Sequence, residues 1–208
     1  DGPLLDGLDR VGQMPLPPYI GQAIADAERY QTVFSDRPAS AAAPTAGLHL
    51  TEQVLERCRA AGADVVEVEL VVGLDTFRPV MVDDLSEHAM HTEFYAVPPA
   101  TWRAVHDAER VIAIGTTVVR ALESAAARDE LSGRTDLFIR APYEFALVDV
   151  LLTNFHLPQS TLLVMIDAFV GPAWKRWYAI ALDARYRFLS FGDAMLLRRN
   201  DGEHEKPS

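Results

Sequence analysis

The chain has 208 residues, 49% of them hydrophobic and 24% charged, an ordinary composition for a folded domain and a poor one for disorder. No apolar run approaches the roughly 20 residues that span a bilayer. The single cysteine, Cys58, excludes a disulfide scaffold and a cysteine-rich zinc centre, and the formal net charge of −11 disfavours a protein that coats nucleic acid.

Taken in chain order, the start Asp1-Gly2-Pro3-Leu4-Leu5 shows neither an initiator Met nor a basic stretch followed by an apolar one, as a secretory leader would. It reads as a truncated or processed chain leaving something upstream. Three prolines between Met14 and Ile20 preclude a helix interior or a central strand, so 1–20 is expected to be a connector. Residues 21–200 form the expected α/β domain, and 201–208 a solvated tail.

Within that domain Thr51 caps a helix running to about Arg59, with Gly62 as its stop and Cys58 as an inert helical residue. Val65 to Leu70 reads as a strand. Val111 to Ile114 is a short buried-type strand that passes through Gly115-Thr116-Thr117 into a helix from Val118, ending by Gly133. Leu137 to Ile139 and Phe145 to Leu152 read as strands, Ser160 to Phe169 as a helix, and a second helix follows Pro172. The stretch from Phe188 to Leu197 is strand-rich. Strands separated by helices predict a layered α/β domain with a mixed sheet flanked by helices.

Four polar segments stand between these apolar elements, where a scaffold presents functional groups. Thr45-Ala46-Gly47-Leu48-His49 offers small residues for close ligand approach, and His49 can exchange protons near neutrality. Gly115, Thr116 and Thr117 lead a strand into a helix, a layout suited to an anionic group, with Arg120 one turn further on. Arg120 and Glu123 are spaced to pair on the helix surface instead. Asn154 and His156 follow a strand end, where open α/β sheets bind ligands. His88, His91 and Glu93 carry ligand types for zinc or iron, but their spacing does not match HExxH. They are read as substrate contacts, and no metal is expected. Between 174 and 199, Lys175, Arg176, Arg185, Arg187, Arg198 and Arg199 face only Asp183 and Asp193, so any polyanion contact belongs there.

Eight stretches carry a more specific message: MPLPPYI at 14–20, YQTVFS at 30–35, AAPTAGLH at 42–49, TFRPV at 76–80, HAMHTE at 88–93, IAIGTTVVRALES at 112–124, LLTNFHLPQSTLL at 151–163 and YRFLSFGDAM at 186–195. Their ordered series resembles the S-adenosylmethionine:tRNA ribosyltransferase-isomerases of queuosine synthesis. The resemblance implies a cytoplasmic enzyme that moves the ribosyl group of S-adenosylmethionine, its co-substrate, onto a deazaguanine base of tRNA. It also implies that the family's N-terminal part and inserted β-barrel domain are absent from this sequence, with self-association a consequence of exposed sheet edges. On that reading His49 and His156 do acid/base work. Thr45, Gly47, Gly115, Thr116, Thr117 and Arg120 hold the co-substrate, and His88, His91, Glu93 and Asn154 contact substrate. Val71-Val72-Gly73, Asp75-Thr76-Phe77 and Ala141-Pro142-Tyr143 depart from the family pattern and mark a divergent member. A changed, non-tRNA acceptor and a non-catalytic relative are the alternatives.

Overall fold

The computed structural model describes residues 26–36, 42–73 and 90–200, with positions 7, 16, 17, 19–21 and 40. His88, the TFRPV stretch, most of the expected 1–20 connector and the 201–208 tail lie outside the described residues.

The helices start where the sequence supplies a partner for free backbone N–H groups. Helix α1, Glu52–Ala60, is capped by Thr51, whose hydroxyl accepts from Val54 N at 3.2 Å, and Gly62 follows it at φ 91°. Helix α2, Pro99–Asp107, is absent from the sequence reading; its proline at the first turn lacks a donor that would be unsatisfied there anyway. Helix α3 is Thr116–Arg128, two residues longer at its start than expected. Helix α4, Thr161–Val170, is capped by Ser160, and α5 spans Trp174–Asp183.

Among the described residues the strands form two three-stranded sheets, one of them the expected mixed sheet. Strand β1, Glu69–Val71, pairs antiparallel with β2, Glu93–Ala96, and β2 pairs antiparallel with β4, Ser132–Thr135. The second sheet is mixed: β5, Val150–Asn154, lies between parallel β3, Ile112–Ile114, and antiparallel β6, Ala194–Arg198. Helix α3 touches β1, β3 and β5, so it joins the two sheets, and its fully buried Val119, Ala121 and Ala125 belong to one continuous core. Leu151, Ile166 and Phe169 fill the other side of that core. Burying each large apolar side chain contributes about 1.5–3 kcal/mol.

Three strand expectations fail, one of them for an identifiable reason. Residues 65–68 are not in a strand, and the β1 pairing begins only at Glu69. Helix α3 ends at Arg128, ahead of the limit set by Gly133, because Asp129 takes the left-handed conformation at φ 53° and turns the chain into β4. The stretch 145–149 is not a strand because Glu123, on α3 and 1% exposed, takes its donors. The Glu123 carboxylate accepts from Ala146 N at 2.8 Å, Leu147 N at 3.0 Å and Val148 N at 3.1 Å. Those amides would otherwise be free to form a ladder. Leu137 to Ile139 likewise forms no strand.

Glu123 is therefore the structural anchor of the 143–148 loop. Glu123→Ala leaves three amides without their acceptor and is expected to cost about 3 kcal/mol or more of unfolding free energy, read as a lower urea midpoint at unchanged slope. A loss under about 1 kcal/mol would show that water replaces the carboxylate without penalty.

Candidate active site

Parallel pairing of β3 and β5 places their carboxyl ends at one edge of the mixed sheet. Gly115 extends that pairing, its N–H donating to Leu152 O at 2.8 Å. Its φ of 94° is the left-handed region, and it turns the chain from β3 into α3. Because β6 is antiparallel to β5, with Asn154 opposite Ala194, the segment preceding β6 arrives at the same edge. Topology alone thus collects Gly115-Thr116-Thr117, Thr153 to His156, and Ser190 to Asp193.

The Thr45–His49 segment forms a 3₁₀ turn that packs against β5. Ala46 Cβ stands 3.6 Å from where a Cβ on Gly115 would lie. Gly47 is required by its neighbours: a Cβ there would come within 2.6 Å of Phe34 Cζ and 2.9 Å of Thr32 Cγ2, both in the YQTVFS stretch. His49, at the end of the turn, is exposed, while Ala46 and Gly47 are buried.

Asn154 is 2% exposed, and its Nδ2 donates to Leu189 O at 2.8 Å and Ser190 O at 3.3 Å. Leu189 itself sits at φ 71° and donates its N–H to Phe155 O. The following turn is tight: Asp193 Oδ2 accepts from Arg187 N at 2.6 Å, and a Cβ on Gly192 would collide with the carbonyl oxygens of Arg187 and Phe188. Ser190, 2% exposed, shares a 2.6 Å hydrogen bond with the Tyr19 hydroxyl. Phe191 packs edge-on against Tyr30, ring centroids 5.7 Å apart.

His156 Nε2 is 2.9 Å from Thr153 Oγ1, and its backbone N–H donates to Tyr178 Oη at 3.0 Å, which ties the loop to α5. Burial pushes the His156 imidazole down to about 4. At neutral pH the ring is therefore uncharged: it can accept a proton or orient a hydroxyl, but it does not arrive carrying an acidic proton.

Arg120 and Glu93 were assigned separately to co-substrate and substrate, yet they form one buried ion pair through Arg120 Nη1 and a Glu93 carboxylate oxygen. The surface pair of Arg120 with Glu123 does not form, since Glu123 serves the 143–148 loop. Arg120 is 6% exposed, and its Nε and Nη2 have no acceptor among the described residues. Thr116 is buried, Thr117 part-buried and His91 exposed. Among the described residues no group of three His, Cys, Asp or Glu side chains is arranged to hold a metal ion. No described helix is long and apolar enough to cross a membrane.

Arg199, counted in the basic segment, is committed elsewhere. It lies 3.3 Å from Asp149 and donates to Phe145 O and Val148 O. With Tyr143, Glu144, Phe145, Ala168 and Asn200 it lines an open depression of about 290 Å³. Asp149 directly precedes β5, so this depression lies at the end of the strand opposite Asn154 and His156. Tyr19, Tyr30 and Ser190 were not singled out by residue type. Their only signal in the sequence was membership of the quoted stretches.

The sequence matches the family described as queuosine biosynthesis protein over residues 3–197. This chain belongs to that family. It is 52% identical, over 97% of its length, to the S-adenosylmethionine:tRNA ribosyltransferase-isomerase of Azoarcus sp., and covers 61% of that relative. The enzyme of the same name from Rubrobacter xylanophilus is 54% identical over 91% of this chain and 57% of its own length. A crystal structure of S-adenosylmethionine tRNA ribosyltransferase from Thermotoga maritima superposes with a TM-score of 0.61 at 43% identity, covering 73% of this chain and 50% of that one. The chain thus spans roughly 60% of the length of its curated family relatives.

The depressed His156 value fixes a pH dependence. The unfolded chain takes up a proton near 6.5 and the native ring only near 4, so stability is full above 6.5 and falls as pH drops between these values. The difference is worth up to about 3 kcal/mol. Subtracting the pH–stability curve of His156→Gln from that of the parent should isolate this slope; parallel curves would mean that the imidazole titrates normally.

Proposed function

We propose that this chain carries the catalytic face of an S-adenosylmethionine:tRNA ribosyltransferase-isomerase acting in the cytoplasm. The observation that carries the reading is the convergence of Thr45–His49, Gly115-Thr116-Thr117, Asn154 and His156 at the carboxyl edge of β3 and β5. That edge is where open α/β sheets bind their ligands. Family membership and 50–54% identity to relatives named for this activity support it.

The chemistry asks for one proton acceptor, one proton donor and a clamp. The sulfonium acidifies the ribosyl methylene beside it. His156, neutral and oriented by Thr153, takes that proton. Electrons left on the carbon expel the ring oxygen from the neighbouring carbon. That oxygen becomes the aldehyde as the bond to adenine breaks, and His49, exposed at the turn, supplies the proton with which adenine leaves. The deazaguanine's amine adds to the resulting vinyl sulfonium, returns its surplus proton to the His49 imidazole that adenine's departure left neutral, and regenerates a carbanion beside sulfur. The carbanion attacks the aldehyde, and the alkoxide so formed displaces methionine to close the epoxide.

Arg120 serves as the clamp, its Nε and Nη2 edge aimed at the methionine carboxylate while Glu93 holds the opposite nitrogen. Thr45, Gly47, Gly115, Thr116 and Thr117 line the co-substrate side. Asn154 and His91 lie on the substrate side; His88, assigned to the same side, lies outside the described residues. The exposed cations Lys175, Arg176, Arg185, Arg187 and Arg198 offer tRNA phosphates a landing surface despite the acidic whole.

Titration calorimetry with S-adenosylmethionine should show saturable heat, and a mobility shift with unmodified tRNA should weaken steeply with salt. His156→Gln should retain co-substrate binding and lower turnover by about 10²-fold or more. Heat without a tRNA shift would move the acceptor to a non-tRNA molecule, and no heat at all would sink the enzymatic reading.

A further inference from the structure

Two buried polar atoms at this edge have no hydrogen-bond partner among the described residues: the Tyr30 hydroxyl and Asn154 Oδ1. Tyr30 is 1% exposed and Asn154 2%, so neither is solvated. An unpaired buried polar group is a standing cost, and native structures keep few of them without a reason. Both atoms flank the same residue. Asn154 donates both its amide hydrogens toward the carbonyls of Leu189 and Ser190, which fixes the side-chain orientation and leaves Oδ1 as a pure acceptor. Ser190 Oγ comes close enough to Tyr30 to favour its ionisation slightly, but its 2.6 Å hydrogen bond goes to Tyr19 and its approach to Tyr30 does not meet hydrogen-bond geometry. Burial pushes the Tyr30 phenol up to about 12, with Ser190 opposing and Tyr19 adding to the shift. The phenol therefore stays protonated and can donate.

A donor-acceptor and an acceptor that each neighbour Ser190, with no ionised group among the side chains of Tyr19, Tyr30, Asn154 and Ser190, suit a hydroxyl. A hydroxyl donates to Asn154 Oδ1 and accepts from Tyr30 Oη; a carboxylate or phosphate would be repelled by Oδ1, and an ammonium would find no counter-charge. We propose that Tyr30 and Asn154 form a hydroxyl-recognition subsite that grips a sugar hydroxyl of the ribosyl-bearing co-substrate, entered when the Phe191 ring swings off Tyr30. Phe191 is 41% exposed, packs edge-on against Tyr30 and has the Arg29 guanidinium 5.9 Å from its ring centroid, so its displacement is a rotamer change of a surface side chain that gives up these two contacts. The subsite rests on the reading of this edge as the S-adenosylmethionine site, assigns Tyr30, which that reading does not use, and moves Asn154 from the acceptor to the sugar of the co-substrate.

The test compares two phenol deletions in the 208-residue chain. Tyr19→Phe removes a hydrogen bond that exists, so its melting temperature should fall while S-adenosylmethionine affinity stays within about twofold. Tyr30→Phe removes a hydroxyl with no protein partner, so its melting temperature should hold or rise, while affinity in calorimetry drops about tenfold. Methionine, which lacks the sugar, should bind both variants and parent alike. If Tyr30→Phe melts lower or fails to fold, the hydroxyl is satisfied within the protein and the subsite is overturned. Unchanged S-adenosylmethionine affinity in Tyr30→Phe overturns the subsite alone; absence of binding to the parent overturns the reading beneath it as well.

Discussion

The central position of β5 decides most of what this chain can do. A strand flanked by one parallel and one antiparallel neighbour brings the end of β3, its own end and the approach to β6 to the same line. Nothing else in the sequence requires residues near 115, 154 and 190 to meet. The single bond from Gly115 N–H to Leu152 O carries the parallel register one residue past β3, to the point where the chain turns into α3. The edge is therefore assembled by backbone pairing first, and side chains decorate a geometry already set.

Charge is used inside this protein as mortar as well as chemistry. Glu123 draws a loop onto α3 through three successive amides, and Arg199 draws the same loop from its other side through the carbonyls of Phe145 and Val148. The loop is held at both its donors and its acceptors. Arg120 and Glu93 tie α3 to the antiparallel sheet, yet two of the three guanidinium nitrogens are left over. A purely structural pair of this kind gains little against the cost of desolvating it. The surplus donors are what distinguish Arg120 from Arg199.

Legibility from sequence followed how local the cause was. Capped helices such as α1 and α4 were readable because Thr51 and Ser160 act within three residues. The β3-to-α3 passage was readable because Gly115 and a hydroxyl pair mark it locally. The stretch at 145–149 looks like a strand in sequence because the group that forbids one, Glu123, lies more than 20 residues away. Strand β4 was missed because Gly133 looks like a stop, although its pairing with Tyr95 is what the fold uses. At the site, His156 and Asn154 were legible from their place after an apolar strand. The joining of Arg120 to Glu93 was not, since nothing in the two segments announces that a helix and a distant strand share a charge. Tyr30 had no local signature at all: its meaning comes from Ser190, brought close by β6.

The turn before β6 has a consequence for how this protein could change over generations. Carbonyl oxygens of Arg187 and Phe188 occupy the space that any side chain at Gly192 would need. A gene library randomised across 186–195 should return one amino acid at 192 whatever chemistry is selected, because survival there is decided before a ligand arrives. New substrate preferences would have to be written at Tyr186, Phe191 and other outward-facing letters around it, with the glycine as fixed punctuation.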